Sequence, residues 1–419
     1  MKAISDREKI LSFHPRKQHN FEQAASLAEL YPERFKHVTS IYIPPSLVKL
    51  LVRISPYYAA MIGKRSYYKL LKKYVYTLPS AEIKRWLLER KHGPPHLSDF
   101  MDLNEYWQKT VLSRFEPPKV CISYDGISHL LFRQWKNKSI LVLDLAIGLP
   151  QYRIKIMYGE HFHNGMLDKV DKIQKKLFAW YQEEVELADI ILCGSEFVKK
   201  TVVYFFPEFE DKCKMLPYGT DLEKFSYPER KFEQREDLKF AFVGRLSWRK
   251  GADLLLDAWK DFIIDHPQAE LHFFGTPDHE IVIGQLPEKV FLHGWIKSPD
   301  LIAYLKTMDV FVFPTTFEGS SIAVFQAMAM KLPVITTVNS GTVLTHGESC
   351  EIVEAGDRAG LVSAMDKLFK SQGYREQLAE NAYALSKNYS WNHYKIRLGK
   401  ILDEVISDKD PIRLKPERV

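Results

Sequence analysis

Cysteine is scarce in this chain: four in 419 residues, Cys121, Cys193, Cys213 and Cys350, with no C-x-x-C pair. That spacing fits neither a disulfide framework nor a zinc knuckle, and the four are expected to fill core positions. Long apolar runs are missing as well. No stretch approaches the ~18 uninterrupted apolar residues that cross a bilayer. The opening MKAISDREKI lacks the apolar segment of a secretory signal, so a cytoplasmic location is expected. Net charge is small: 59 Lys+Arg against 53 Asp+Glu leave +6, too little on average to argue for nucleic acid. Internal repeats, heptad arrays and low-complexity tracts are also lacking.

What is present is the composition of a folded protein, 46% hydrophobic and 27% charged, in a chain longer than the ~250 residues at which one core stops growing. At least two domains are expected. In the C-terminal half, Leu238–Val243, Glu270–Phe274, Val290–His293, Val310–Pro314 and Val334–Thr337 read as short strands. Helical patterns such as Ala252–Ile264 and Ala359–Phe369 lie between them, an alternation that predicts a parallel sheet covered on both faces. The N-terminal half repeats the rhythm with strands at Lys9–Phe13, Val38–Ile43, Val120–Tyr124, Ser139–Ala146 and Ile190–Cys193. Helices are expected there at Phe21–Leu30, Val170–Leu187 and Glu196–Phe206. The expected division is 1–219, 220–390 and a terminal helix within 391–419.

Two segments carry chemistry. The strand ending at Val243 runs into Gly244-Arg245-Leu246-Ser247-Trp248-Arg249-Lys250-Gly251 and then a helix. A glycine at a strand end, two cations and a helix N-terminus make an anion site suited to phosphate. Neither the Walker A spacing nor G-x-G-x-x-G is present, and standing alone Arg245 and Lys250 read equally well as solvated loop charges. The strand Val310–Pro314 leads into Thr315-Thr316-Phe317-Glu318-Gly319-Ser320-Ser321-Ile322 and an apolar helix holding Gln326. Ser320 and Ser321 can cap that helix or leave their N–H groups to a phosphate. Glu318 suits sugar hydroxyl groups, and Gln326 falls about two helical turns further on, near the same face.

In this order the motifs resemble the donor domain of the GT-B retaining glycosyltransferases, especially glycosyltransferase family 4. The likeness covers roughly residues 185–395, including Ala188–Val198 and Pro217–Asp221, which resemble the segments joining the two domains in that family. It implies two doubly wound, Rossmann-like α/β domains facing across a cleft, with the terminal helix Ser390–Ile406 crossing back to the N-terminal one. It implies transfer of a sugar from a nucleotide diphosphate sugar to a hydroxyl acceptor, plausibly a lipid-linked or cell-surface glycan. No cofactor and no metal ion are implied. Arg245 and Lys250 match the pair that neutralises the donor diphosphate, Gly244 opens their loop, and the Gly319–Ile322 backbone would contact phosphate. Glu318 matches the first glutamate of the family's E-x7-E element, which holds the donor sugar. Gln326 stands where the second glutamate, which binds the ribose, is usual, and Lys331 where glycine is common.

On the acceptor side, His14, Lys17 and His19 lie in the loop after the first strand. Asp144 interrupts an apolar strand, either paired in the interior or open to the cleft. His161 is a further catalytic candidate and His163 an acceptor-side one. The segment Leu47–Lys91 holds eleven Lys and Arg against two Glu, a local +9 that exceeds the charge of the whole chain. Within it Tyr67, Leu70, Leu71, Tyr74, Val75 and Leu78 follow helical spacing. A basic amphipathic helix there would suit an anionic membrane surface; packing on its own domain explains the periodicity equally well. Two other functions fit parts of the pattern: a nucleotide-sugar epimerase of the same fold, and a noncatalytic sugar-nucleotide binding subunit.

Overall fold

The computed structural model describes residues 9–55, 63–92, 96–161, 164–278 and 286–408. The chain forms two compact units, one from described residues within Met1–Leu192, Val202–Lys214 and Lys395–Val419, the other from Cys193–Thr201 and Met215–Tyr394.

The first unit holds a seven-stranded sheet of β1 (Ile10–Phe13), β2 (Phe35–Thr39), β3 (Val75–Thr77), β4 (Val120–Tyr124), β5 (Ile140–Leu145), β6 (Ile190–Cys193) and β7 (Cys213–Met215), in the order β3-β2-β1-β4-β5-β6-β7. The pairings from β3 through β5 are parallel, with Phe13 opposite Val38 and Ser123, and Tyr124 opposite Asp144. The second unit's sheet comprises β8 (Lys239–Val243), β9 (Glu270–Phe274), β10 (Val290–Leu292), β11 (Val310–Phe313), β12 (Val334–Thr336) and β13 (Glu351–Ile352). Its order is β10-β9-β8-β11-β12-β13, parallel throughout. Every residue of β4, β5 and β11 is buried, the mark of strands covered by helices on both faces. In each sheet the first strand lies beside the fourth, so winding reverses there and the loops after β1 and β4, and after β8 and β11, splay apart. Ligands of such sheets bind at that reversal, beyond the carboxyl ends of the strands.

Most expected elements stand within a residue or two of their predicted limits, β4, β6 and β9 without any shift. The four cysteines are buried, as expected. The terminal helix Trp391–Asp408 crosses back to the first unit: Lys395 Nζ lies 2.7 Å from Glu29 Oε2, Tyr31 donates to Asp403 Oδ1 at 2.8 Å, and Gly399 packs against Leu30.

The amphipathic helix expected around Tyr67–Leu78 is absent. That stretch is a turn, a short 3-10 segment Lys72–Tyr74 and strand β3. Leu70, Tyr74 and Val75 are buried in their own unit, because β pairing to β2 consumes the apolar residues whose spacing mimicked a helix. Exposed apolar surface lies on the flanking helices Pro45–Ile54 and Ser80–His92, with Tyr68 and Leu71 exposed in the stretch itself. Strand β2 also begins earlier than predicted, at Phe35 rather than Val38.

Gly251 joins the loop after β8 to the helix Ala252–Asp265 at φ 70°, and a Cβ there would stand 2.1 Å from the Pro314 carbonyl oxygen. Gly251→Ala is expected to destabilise the second unit by about 1–3 kcal/mol, measured as a fall in its thermal unfolding midpoint.

Candidate active site

In the second unit the loops after β8 and β11 meet at the reversal point. The first begins where Gly244 N–H donates to Phe274 O at 2.9 Å, and Leu246 N–H continues to Thr276 O at 3.0 Å. The backbones approach so closely that a Cβ on Gly275 would fall 1.8 Å from Gly244 O. A single 3-10 turn, Trp248–Lys250, follows. It aims Arg249 and Lys250 back over the sheet.

Both cations converge on Glu318. Lys250 Nζ lies 2.5 Å from Glu318 Oε2 and 5.1 Å from the centre of the Phe313 ring. Arg249 Nη1 lies 3.1 Å from Glu318 Oε1 and donates to Phe317 O at 2.7 Å. The Arg249 carbonyl in turn accepts from Thr316 N–H at 2.9 Å, Thr315 Oγ1 at 2.8 Å and Thr316 Oγ1 at 3.0 Å. Burial alone would raise the Glu318 pKa, but Lys250 and Arg249 hold the carboxyl below its ordinary value of 4.5. Arg245 is different: its side chain is 64% exposed and its ion pair among the described residues, to Asp278, is a long 3.7 Å. It is the cation with room to turn toward a ligand.

The turn after Glu318 is braced from behind. Glu318 N–H donates to Asn339 O at 3.0 Å and Ser321 N–H to Ser340 O at 3.1 Å. Ser195 Oγ donates to Gly319 O at 2.5 Å, and Ser320 Oγ accepts from Tyr218 N–H at 3.1 Å. Ser320 and Ser321 therefore do not cap the helix Ile322–Ala329. Ser321 occupies the N-cap position with no side-chain bond, and the Ser320 hydroxyl holds the 217–221 segment in place. The N–H groups of Gly319, Ser320 and Ile322 meet no acceptor among the described residues. On that helix the partly exposed residues are Ile322, Ala323 and Gln326, so Gln326 shares the open face with the residues at the helix start.

In the first unit the loop after β1 also lies at a reversal point. His14 is buried, accepts from Arg16 N–H at 3.0 Å through Nδ1, and rests edge-on against Tyr124. Burial lowers its pKa to about 3, so the ring is neutral. His19 Nε2 is 3.4 Å from Asp144 Oδ1, Gln23 donates to Asp144 Oδ2 at 2.6 Å, and Tyr124 OH donates to Gln23 Oε1 at 2.5 Å. Asp144 is thus paired in the interior, 3% exposed, at the carboxyl end of β5. Lys17 turns the other way, donating to Ser66 O at 2.5 Å and lying over the Tyr67 ring. His161 is exposed in the turn Gly159–His161 and is not hydrogen-bonded to that cluster. His163 lies outside the described residues.

The family described as glycosyl transferases group 1 matches residues 237–371, the stretch that contains both second-unit loops. Over that stretch the chain is similar to the group 1 glycosyltransferases. Its relative in Staphylococcus aureus, the capsular polysaccharide biosynthesis glycosyltransferase CapM, is 25% identical over 325 residues, 72% of this chain and 81% of that protein. The fold is shared with sucrose-phosphate synthase from Thermosynechococcus elongatus, at TM-score 0.64 and 15% identity over 96% of this chain and all of the other. It is shared also with Anabaena HepE solved with UDP, at TM-score 0.58 and 15% identity over 94% of this chain and all of the other. Two Rossmann-like sheets with a returning C-terminal helix make this the GT-B arrangement.

Lys331 departs from the glycine that is common at this point among the group 1 glycosyltransferases. It adopts φ 54°, just past the helix Ile322–Ala329, which explains why glycine is common at that point. Its Nζ reaches Pro228 O at 3.1 Å and Glu380 at 2.5 Å, contacts a glycine would not make. Arg249 as the second partner of Glu318 has no signal in the sequence beyond its place in the Gly244–Gly251 loop. Gln23 and Tyr124 were also missed, since a glutamine in a helix and a tyrosine in a strand carry no signal until the fold brings them to Asp144. Another group that only the fold assembles is Glu184, which accepts from Gly126, Ser128 and His129 N–H at 2.7–3.1 Å and is pushed up to about 8 by burial.

The pH dependence follows from the Glu318 shift. A carboxylate with a lowered folded pKa contributes stability that is fully present above its unfolded value and is lost as pH falls through the folded one. Glu318→Gln is therefore expected to show a shallower loss of thermal midpoint than the parent on the acid side of about pH 4.5. Parallel acid limbs in the two proteins would contradict the assignment.

Proposed function

We propose that this glycosyltransferase moves a sugar from a nucleotide diphosphate sugar to a hydroxyl of a lipid-linked or cell-surface glycan, with retained anomeric configuration and no metal ion. The observation that carries the reading is Glu318, held between Lys250 and Arg249 beside three unengaged N–H groups at the reversal point of the second sheet. Breaking the bond between sugar and diphosphate builds negative charge on the leaving group. Fixed cations and N–H dipoles stabilise such charge without reorganising at the moment of reaction. Arg245 and Lys250 take that role, with Gly244 keeping the loop close to the sheet. The N–H groups of Gly319, Ser320 and Ile322 add dipoles to the phosphate, and Ser321 sets the helix start.

Glu318 then accepts from donor-sugar hydroxyls, and Gln326 from or to the ribose. Gln326 hydrogen-bonds a ribose without the charge of a glutamate, so nucleotide affinity should rest more heavily on the phosphate contacts. In the first unit His14, Lys17 and His19 are the acceptor contacts, with His163 as a further one, and Asp144 and His161 are the candidates for proton handling. The relative named for capsular polysaccharide biosynthesis supports a glycan acceptor. HepE, solved with UDP and glucose, supports a uridine donor.

A thermal-shift screen with UDP, GDP and their sugars, followed by transfer of labelled sugar to a lipid-linked acceptor, tests this. Transfer with the donor's anomeric configuration is the expected result. Free isomerised nucleotide sugar, or binding without turnover, would overturn it. Arg245→Ala and Lys250→Ala should each weaken UDP binding by about tenfold to a hundredfold, the worth of a charge-assisted hydrogen bond, with the fold retained by circular dichroism.

The same reading places the enzyme at the cytoplasmic face of an anionic membrane. Among the described residues no helix is long and apolar enough to cross one. The helix Pro45–Ile54 buries no residue fully and leaves Leu47, Leu50 and Ile54 exposed beside Lys49 and Arg53. Ile83, Trp86 and Leu87 are exposed on Ser80–His92 among Lys84, Arg85 and Arg90. Apolar side chains flanked by cations suit the boundary between headgroups and acyl chains. Sedimentation with liposomes should increase with anionic lipid and fall in Leu50→Asp and Trp86→Ser. Indifference to lipid charge would count against it.

A further inference from the structure

The two cations on Glu318 are not held alike. Arg249 is fixed twice over: its Nη1 donates to Phe317 O at 2.7 Å while facing Glu318 Oε1 at 3.1 Å, and its own carbonyl accepts from Thr315 and Thr316. Lys250 Nζ has Glu318 Oε2, at 2.5 Å, as its hydrogen-bond partner among the described residues, and otherwise rests over the Phe313 ring. Its side chain keeps 19% of its surface exposed. A Cβ on Gly244 would stand 3.3 Å from Lys250 Cδ, so the flexible stem runs past the glycine that opens the anion loop.

Glu318 cannot give up both cations. Its side chain is 16% exposed, and a carboxylate so enclosed is strongly destabilised when its counter-charge is removed. An anion that draws Lys250 away leaves Arg249 as the remaining counter-charge and opens Oε2 to new donors. Sugar hydroxyl groups are such donors. A nucleotide diphosphate sugar therefore brings both halves of an exchange, phosphate oxygens for Lys250 and hydroxyls for Glu318. A bare nucleoside diphosphate brings only the first.

We propose that Lys250 is an exchangeable cation and Arg249 a positioning one: Glu318 restrains Lys250 until a diphosphate draws it off, and Arg249 keeps the carboxylate in place meanwhile. The inference rests on the reading that these loops bind the donor, and it adds a means of releasing the product. Once the sugar has been transferred, Oε2 has lost its hydroxyl donors, Lys250 returns to it, and the nucleoside diphosphate loses a cation. Arg249 acts through Glu318 and does not touch the phosphate.

The test titrates inorganic pyrophosphate, UDP and GDP into the full-length protein by calorimetry. Glu318→Gln, which keeps the shape and removes the charge that restrains Lys250, should bind pyrophosphate about tenfold more tightly than the parent. The bound nucleoside diphosphate should leave it more slowly by a similar factor in stopped-flow displacement. Glu318→Ala serves the same purpose should Glu318→Gln not fold. Arg249→Gln, which leaves Glu318 dependent on Lys250 alone, should weaken pyrophosphate binding about tenfold in the parent and change it less than about twofold in the Glu318→Gln background. That comparison separates exchange from plain repulsion between carboxylate and anion, since a direct pull of Arg249 on the anion would persist without Glu318. Binding unchanged or weakened by Glu318→Gln, or an Arg249→Gln effect that survives in its background, would overturn the proposal while leaving the donor reading in place. If none of the three anions binds parent or variants, the donor reading falls and this inference falls with it.

Discussion

A buried carboxylate with two cations on it, Glu318 between Lys250 and Arg249, ties the loop after β8 to the loop after β11. Without compensation a carboxylate in that position would lose its charge to desolvation. With it, the group stays ionised and fixes the spacing of two loops that parallel-sheet topology would otherwise let splay apart. The Arg249 carbonyl, which accepts from both Thr315 and Thr316, makes the tie a matter of backbone as well as side chain. The arrangement is poised rather than inert. Lys250 and Arg249 spend their charge on Glu318 in the absence of another anion, and a diphosphate would compete for Lys250.

The first unit uses the same topological position with other chemistry. Around the ends of β1, β4 and β5, His19, Gln23 and Tyr124 form a hydrogen-bonded network around the Asp144 carboxylate. A neighbouring histidine, His14, is kept neutral by burial. Cations on this side are displaced outward, Lys17 toward Ser66 and Arg16 toward a narrow cleft lined by Ser40 and Trp107. One unit thus concentrates positive charge at its reversal point, while the other keeps a hydrogen-bonded cluster around a carboxylate there, with Lys17 and Arg16 at its margin. That difference suits a phosphorylated leaving group in one and hydroxyl chemistry in the other.

The donor loops were legible because their residues are consecutive. Gly244–Gly251 and Phe317–Ile322 each place a strand end, a turn and a helix start within a few positions, so the spacing itself encodes the geometry. The first unit was harder to read. Its cluster draws on residues from a loop, a helix and two strands, more than a hundred positions apart in the chain. The segment Tyr67–Leu78 misled for a related reason. Its apolar spacing was compatible with a helix, but a free edge of β2 was available, and pairing with it buried the same side chains as β3.

The sequence by itself determined two α/β units, five of the six strands of the second sheet, the phosphate-type loops and the concentration of positive charge in Leu47–Lys91. These are properties of period, composition and short-range spacing, which local sterics and burial translate directly into structure. Tertiary structure alone decided that Arg249 joins Lys250 on Glu318, that Ser320 braces the 217–221 segment instead of capping a helix, and that Asp144 is paired. It also decided that Trp107, Ser40 and Arg16 gather in one cleft. Each of these depends on which distant groups close packing brings within hydrogen-bond reach, and no periodicity along the chain records that.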